Sequence, residues 1–183
     1  MAELLFKGET IHTSGTVPQP GYILPTLSLT TTDLRDVTLQ SFVSPYKILN
    51  IVPSIDTGVC AASAREFDQY AVKLADALVF TISRDLPFAL ARHLHESKLR
   101  NIIPLSSMRD QSFGQTMGLE IVDGPLTGLL ARSVFILDHS NTVLYAELVP
   151  EIAQEPNYDQ VLTALDKARE MRIEVPEQHK SKS

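Results

Sequence analysis

Cys60 carries the only thiol in this 183-residue chain. It stands after an apolar run that ends at Val52 and a loop rich in Pro, Ser, Asp and Gly, and a helical pattern follows over residues 61–75. The first turn of a helix leaves backbone N–H groups unpaired and carries a positive partial charge. Both effects favour the thiolate over the thiol, and the thiolate is the nucleophilic form. The position of Cys60 therefore predicts a reactive cysteine.

Other interpretations of this stretch fit less well. Most lone cysteines are buried small hydrophobes, but the polar loop before Cys60 indicates an exposed helix entrance. Asp56-Thr57-Gly58 matches the Asp-Thr-Gly of aspartic proteases, whose two carboxylates share one site, and this chain has one copy that only a dimer could double. A dithiol Cys-x-x-Cys is absent, and one cysteine with five scattered histidines does not match metal-ligand spacings. His93 and His95 are expected on a helix surface.

The loop and the cysteine together resemble the active site of a known enzyme family. Pro53-x-x-x-Thr57-x-x-Cys60 is similar to the peroxiredoxin motif, and the fuller stretch over residues 53–61 resembles the thiol peroxidase subfamily. The similarity covers roughly residues 4–168. It implies a thiol-dependent peroxidase that reduces hydrogen peroxide and organic (alkyl) hydroperoxides through a Cys60 sulfenic acid. It implies no metal, haem, flavin or other cofactor.

The same resemblance implies roles for four residues. Cys60 is the expected nucleophile, Thr57 is expected to offer its hydroxyl to the peroxide and the thiolate, and Pro53 is expected to cover the sulfur. Residues 128–132, Gly-Leu-Leu-Ala-Arg, match the family pattern Gly-Leu-x-Ala-Arg, so Arg132 is the expected guanidinium that favours the thiolate and binds the peroxide oxygens. Fixed donors of this kind stabilise the negative charge that develops on the departing oxygen.

One position departs from the subfamily. Residues 83–89, Ser-Arg-Asp-Leu-Pro-Phe-Ala, are similar to the segment that precedes the subfamily's second, resolving cysteine, but Leu94 stands where that cysteine is expected. A sulfenic acid at Cys60 then has no partner thiol in its own chain. We therefore expect a one-cysteine mechanism with an external thiol reductant, which could be a thioredoxin, a glutaredoxin or a small thiol, and easier over-oxidation. A Cys60–Cys60 disulfide across a dimer requires two facing sulfurs.

The missing second cysteine also keeps other functions open. The chain could be a peroxide sensor or redox relay, in which Cys60 is oxidised by peroxide and passes that oxidation to a partner protein. A catalytically silent thioredoxin-like binding module is a further alternative, although the intact set of Pro53, Thr57, Cys60 and Arg132 speaks against it.

The elements around these residues alternate between strand and helix. The patterns predict a hairpin over residues 3–16 with its turn at 7–10, short strands at 27–30 and 37–39, buried strands at 46–52 and 78–82, a short apolar segment at 102–105, and a hairpin of 134–137 with 143–148. Further helices are predicted from Asp85 as N-cap, over 112–117, and from Asn157 with Gln160 in a capping box.

This order of elements predicts an α/β protein with helices on both faces of a sheet that has parallel members. The resemblance specifies a thioredoxin-like fold, with a mixed central sheet flanked by helices and an N-terminal β-hairpin. We expect a single domain over residues 1–171, followed by a flexible C-terminal tail over residues 172–183, which are charged, contain Pro176 and lack periodicity.

Composition limits the partners and the compartment. The net charge of −6 argues against a nucleic-acid or anionic-membrane binder. No stretch approaches the ~20 apolar residues of a membrane span, the N-terminus does not match a signal peptide, and one cysteine excludes an intramolecular disulfide. We therefore expect a cytoplasmic protein whose partners are a hydroperoxide and a thiol reductant, and the resemblance suggests a homodimer.

Overall fold

The computed structural model describes residues 1–173 and arranges the strands in two sheets. The strands are β1 (Glu3–Phe6), β2 (Glu9–His12), β3 (Ser28–Thr30), β4 (Asp36–Thr38), β5 (Tyr46–Ile51), β6 (Ala77–Ser83), β7 (Ile103–Ser106), β8 (Ser133–Asp138) and β9 (Val143–Leu148). The helices are α1 (Gly58–Ala71), α2 (Pro87–Ser97), α3 (Ser112–Thr116) and α4 (Tyr158–Ile173). Among these residues no helix is long and apolar enough to cross a membrane.

The central sheet has seven strands in the order β4-β3-β7-β6-β5-β8-β9. Strands β5, β6 and β7 are parallel, whereas β8 runs antiparallel to β5 and β9 antiparallel to β8. All six residues of β5 are buried, which confirms the prediction of a strand covered on both faces. The sheet is therefore mixed, as expected for a thioredoxin-like fold.

Each face of the sheet carries its own hydrophobic cluster. Helices α1, α2 and α4 share one cluster, in which Phe67, Leu90 and Leu165 pack with Ile48 and Val79. The other face is covered by α3 and the N-terminal hairpin, whose contributions are Phe113 from α3 and Leu4 and Ile11 from the hairpin, packed against residues such as Leu49 and Phe80. Helices thus lie on both faces, as predicted, but the three long ones share one face.

The N-terminal hairpin is tighter than the sequence suggested. Strands β1 and β2 pair from Glu3–His12 to Phe6–Glu9, so the turn consists of Lys7 and Gly8 alone. Both residues have positive φ, 52° and 83°. This is the backbone geometry of the two-residue turns that match strand twist, and glycine adopts it without steric cost.

Three local predictions at helix ends need correction. Leu86, not Asp85, is the N-cap residue of α2, and Pro87 follows at its first position. Asn157 does cap α4, since the Gln160 N–H donates to Asn157 Oδ1 at 3.0 Å, but the Asn157 N–H donates to Glu147 rather than to Gln160, so the predicted capping box is only half formed. Helix α4 continues to Ile173, two residues into the predicted tail; residues 174–183 lie outside the described part of the chain.

Candidate active site

Sheet topology brings Cys60 and Arg132 together across 72 residues of sequence. Strands β5 and β8 are antiparallel neighbours, and Ile51 at the end of β5 pairs with Ser133 at the start of β8. The loop that leads to Cys60 therefore leaves the sheet beside the point where Arg132 enters it. The Val149 N–H donates to the Arg132 carbonyl at 3.0 Å, which fixes the Arg132 backbone against β9.

Cys60 lies in the first turn of α1, as the sequence predicted. Thr57 is the N-cap residue, and its Oγ1 accepts a hydrogen bond from the Cys60 N–H at 3.3 Å. The Thr57 hydroxyl also donates to the Ser54 carbonyl at 3.3 Å. To serve a peroxide or the thiolate, as the resemblance implies, this hydroxyl would have to turn away from Ser54. The Cys60 N–H is likewise engaged with Thr57.

Arg132 is buried, with 2% of its surface exposed, and its guanidinium faces the cysteine. Nη2 donates to Cys60 Sγ at 3.3 Å, and Nε donates to the Ile152 carbonyl at 3.0 Å. Among the described residues the buried Nη1 has no hydrogen-bond partner. The guanidinium is thus held by one bond to the backbone and one to the sulfur, with a further donor free to bind a ligand.

The remaining predicted residue, Pro53, is buried at the start of the loop. Among the hydrogen bonds of the described residues, none joins Pro53 to Thr57, Cys60 or Arg132. Cys60 itself is 0% exposed, although Thr57 beside it is exposed. The sulfur therefore lies below the surface of the loop, in surroundings that limit contact with water.

A buried polar pair that we did not predict supports the first turn of α1 from below. Asn50 Nδ2 donates to Ser63 Oγ at 3.3 Å, and Ser63 Oγ donates to the Cys60 carbonyl at 2.9 Å. Both side chains are fully buried. Asn50 was visible in the sequence as the one polar interruption of an apolar run, and Ser63 as a polar residue one turn after the cysteine, but nothing local indicated their contact.

Helix α2 carries Leu94, at the position where a resolving cysteine was expected, and two histidines. Leu94 is partly buried and packs against the cluster beneath α1, α2 and α4. His95 is exposed, as predicted, whereas His93 is half-buried, and its burial lowers the pKa of the imidazole. His93 is therefore more buried than the prediction of a surface residue suggested.

This arrangement is suited to nucleophilic attack by sulfur on a small electrophile. A buried cation in hydrogen-bond contact with the sulfur favours the thiolate electrostatically. A donor on the same guanidinium can stabilise negative charge on an atom that leaves the electrophile, and it can do so without rearranging during the reaction. An O–O bond, which breaks to give an oxygen anion, is an electrophile that needs both features.

Comparisons with known proteins agree with this chemistry. The Redoxin family model matches residues 19–162. A thiol peroxidase from Corynebacterium glutamicum is 43% identical over 166 residues, which cover 91% of this chain and 100% of the relative. A peroxiredoxin-like protein from Aquifex aeolicus superposes with a TM-score of 0.85 at 31% identity, covering 91% of this chain and 97% of that one. A thiol peroxidase from Chromobacterium violaceum superposes with a TM-score of 0.85 at 25% identity, covering 92% of this chain and 98% of that one.

The fold and the cysteine–arginine pair therefore define a thioredoxin-like protein with a thiol-based active site. The chain belongs to the redoxin family, and within that family it is a peroxiredoxin of the thiol peroxidase subfamily. The family, fold class and enzyme class predicted from the sequence are confirmed. The relay and the silent binding module receive no support from these relatives.

Proposed function

We propose that this peroxidase reduces hydrogen peroxide and organic (alkyl) hydroperoxides through a Cys60 sulfenic acid, and that an external thiol returns Cys60 to the reduced form. The contact between Arg132 Nη2 and Cys60 Sγ at 3.3 Å, with Nη1 buried beside it, is the observation that carries the proposal. One guanidinium can then contact the attacking sulfur and the peroxide at once. The absence of a second cysteine in the sequence carries the one-cysteine part.

The first step is attack of the Cys60 thiolate on one peroxide oxygen. An S–O bond forms and the O–O bond breaks, so the cysteine is oxidised to the sulfenic acid and the peroxide is reduced. The departing hydroxide or alkoxide takes up a proton and leaves as water or alcohol. Arg132 Nη1 is the proposed donor to the peroxide oxygens, and its positive charge stabilises the anion as it develops.

The second step needs a thiol from outside the chain. Its sulfur attacks the sulfenic sulfur, an S–S bond forms, the S–O bond breaks, and the hydroxyl leaves as water with the proton of the incoming thiol. A second thiol then releases Cys60 as the thiol and leaves as a disulfide. Because Cys60 is 0% exposed, a protein reductant can reach its sulfur only after the surrounding loop or the first turn of α1 moves.

Thr57 and Pro53 have supporting parts in this proposal. Thr57 caps α1 and orients the Cys60 N–H group, and rotation of its hydroxyl away from the Ser54 carbonyl would let it donate to the peroxide. Pro53 is buried and contributes no N–H group that would attract water to the sulfur.

We also propose a cytoplasmic homodimer that draws on the thiol reductants of that compartment. The cytoplasm keeps its small and protein thiols reduced, and these can return Cys60 to the thiol after each oxidation. The dimer is supported by two large apolar side chains at the start of α2, Leu86 and Phe88, which are 56% and 65% exposed. Sedimentation of the full chain tests it, and a monomer at micromolar concentration would contradict it.

The main experiment measures the oxidation rate of pre-reduced protein by hydrogen peroxide and by cumene hydroperoxide. The chain has no tryptophan, so quenched flow with mass spectrometry, or competition with another peroxidase, replaces tryptophan fluorescence. Cys60→Ser provides the blank, and the double variant Cys60→Ser/Thr10→Cys places an ordinary thiol at an exposed position of strand β2. We expect wild-type Cys60 to react orders of magnitude faster than the thiol at position 10, and equal rates would refute the peroxidase site.

The reductant half is tested separately. After one equivalent of peroxide, the oxidised protein is mixed with a small thiol, with thioredoxin or with glutaredoxin, and the intact mass is followed. A transient adduct between Cys60 and the added thiol is expected. A Cys60–Cys60 disulfide that forms before any thiol is added, and that the reductant then removes, would contradict the one-cysteine order.

A further inference from the structure

Two adjacent residues at the carboxyl end of β6, Arg84 and Asp85, reach both halves of the active site. Neither takes part in the chemistry proposed above. The sequence pattern predicted Asp85 as a helix cap, but Leu86 holds that position. Both side chains are partly buried, and together they make hydrogen bonds to the loop before Cys60 and to the segment before Arg132.

The Asp85 carboxylate holds the loop that carries the cysteine. Oδ2 accepts from the Ile55 N–H at 2.7 Å, and Oδ1 accepts from Ser54 Oγ at 2.8 Å. Oδ2 also accepts from Ser83 Oγ at 2.6 Å, which ties the carboxylate to β6. Hydrogen bonds to an ionised carboxylate are roughly twice as strong as neutral ones. Asp85 is therefore an anchor between the sheet and the loop.

This anchor connects to Cys60 by a short series of hydrogen bonds. The Ser54 carbonyl accepts from both the N–H and the hydroxyl of Thr57, each at 3.3 Å. Thr57 Oγ1 then accepts from the Cys60 N–H. A shift of Ser54 is thus transmitted through the cap residue to the backbone of the cysteine.

Arg84 holds the segment that leads to Arg132. Its Nη1 donates to the Gly128 carbonyl, and its Nη2 donates to Glu120 Oε2 at 3.1 Å and to the Gln111 carbonyl at 3.3 Å. Gly128 lies four residues before Arg132. Glu120 also forms an isolated bridge with Leu130 in the same segment. The Arg84 guanidinium thus holds the segment before Arg132 at two points, directly at Gly128 and through Glu120 at Leu130.

The space for this guanidinium depends on a glycine in α3. A Cβ at Gly114 would lie 2.9 Å from Arg84 Nη2 and 2.8 Å from Leu130 Cδ2. Contacts this close force the neighbours to move. Helix α3 therefore packs directly against the Arg84 guanidinium and the 128–132 segment.

We propose that Arg84 and Asp85 are positioning residues that set the separation of Cys60 and Arg132, with Asp85 acting on the cysteine loop and Arg84 on the arginine segment. Because the two residues are adjacent, one short piece of backbone at the end of β6 positions both Cys60 and Arg132. The inference rests on the proposed roles of Cys60 and Arg132. A misplacement of about 1 Å in such a site can cost on the order of 100-fold in rate.

The test compares Arg84→Gln and Asp85→Asn with wild type in the peroxide assay described above. Asp85→Asn removes the charge at constant size, and Arg84→Gln removes the charge and shortens the side chain while keeping it polar. Arg109→Gln and Asp138→Asn are matched controls. Among residues 1–173 the Arg109 side chain bonds to Leu34 and Asp36 alone, and the Asp138 carboxylate accepts three hydrogen bonds, as that of Asp85 does, but in the β8–β9 turn. We expect the two test variants to lose about tenfold or more in oxidation rate and the controls to match wild type.

A double-mutant cycle distinguishes positioning from general structural damage. If Arg84 acts through Arg132, Arg84→Gln should have little further effect in the Arg132→Lys background, whereas Asp85→Asn should still slow the reaction. As a second readout, the rate at which a small alkylating reagent modifies Cys60 at neutral pH should fall in Arg84→Gln, because the Arg132 guanidinium that contacts the sulfur has moved. A loss of stability alone would move neither readout.

Each outcome decides the inference. Unchanged oxidation rates in folded Arg84→Gln and Asp85→Asn, with a fast wild type, would overturn the positioning role and leave the proposed function intact. The same factor lost from Arg84→Gln in both backgrounds would overturn its action through Arg132. A wild type no faster than an ordinary thiol would overturn both proposals. If Arg84→Gln does not fold, Arg84→Lys, which keeps the charge but presents its donors from a single atom, takes its place and must slow oxidation for the inference to stand.

Discussion

Replacement of Arg132 by lysine tests whether the geometry of the guanidinium, beyond its charge, supports catalysis. Lysine keeps a positive charge but presents its donors from a single atom. It cannot bond to the Ile152 carbonyl through one nitrogen while a second contacts Cys60 Sγ and a third remains for the peroxide. At least one donor to the reacting atoms is therefore lost.

The expected size follows from that count. Removal of one fixed donor to a developing oxyanion typically costs about 100- to 1000-fold in rate, or about 3–4 kcal/mol in the activation barrier. A lysine that contacts the sulfur instead leaves the Ile152 carbonyl without its partner, and since Ile152 is buried this should cost about 1–3 kcal/mol of folding stability. Arg132→Gln, which removes the charge as well, should be slower than Arg132→Lys.

The assay is the second-order oxidation rate of pre-reduced Cys60 under excess peroxide, followed by quenched flow and mass spectrometry. Arg35→Lys is the control, because Arg35 makes an exposed ion pair with Asp33 and lies outside the site. Urea unfolding of each variant separates lost stability from lost rate. An Arg132→Lys rate that equals the wild-type rate would refute the argument that the guanidinium binds sulfur and peroxide together.

Two further predictions follow from the helix cap and from an ion pair. Thr57→Val removes the acceptor of the Cys60 N–H and should cost about 1 kcal/mol of stability and slow peroxide oxidation, whereas Thr57→Ser should keep the wild-type stability and rate. A Thr57→Val variant that equals wild type in urea unfolding and in the peroxide assay would contradict the capping role. Arg169 bonds to Asp76 and holds the pKa of that carboxyl below its usual value. Stability from this pair is present above the unfolded Asp pKa of about 4 and is lost as pH falls through the lower folded pKa. Arg169→Gln should therefore cost up to about 1 kcal/mol at pH 7, with a difference from wild type that shrinks in acid; a difference that stays constant in urea titrations from neutral to acid pH would contradict it.

Most of the fold could be predicted from the sequence, because local patterns of residues determine the strands and helices. The nearly continuous apolar run before the loop, interrupted at Asn50, identified β5 as buried on both faces, and the alternation of strand and helix identified the α/β class. Helix boundaries were less accurate. Asp85 lies shortly before a proline, as a cap residue often does, but its carboxylate accepts a hydrogen bond from the Ile55 N–H. That partner lies 30 residues away in sequence, and no local pattern reveals it.

The site divides in the same way. The position of Cys60 at a helix start depends on a few consecutive residues, so the sequence alone determined where the thiol would lie. The role of Thr57 as the cap of that helix was not predicted and came from the structure. The contact between Arg132 and Cys60, the support from Asn50 and Ser63, and the anchoring by Arg84 and Asp85 were decided only by tertiary structure. These contacts depend on the antiparallel register of β5 with β8 and on packing between distant segments. Such distances are set by the whole sheet, and no short stretch of sequence encodes them.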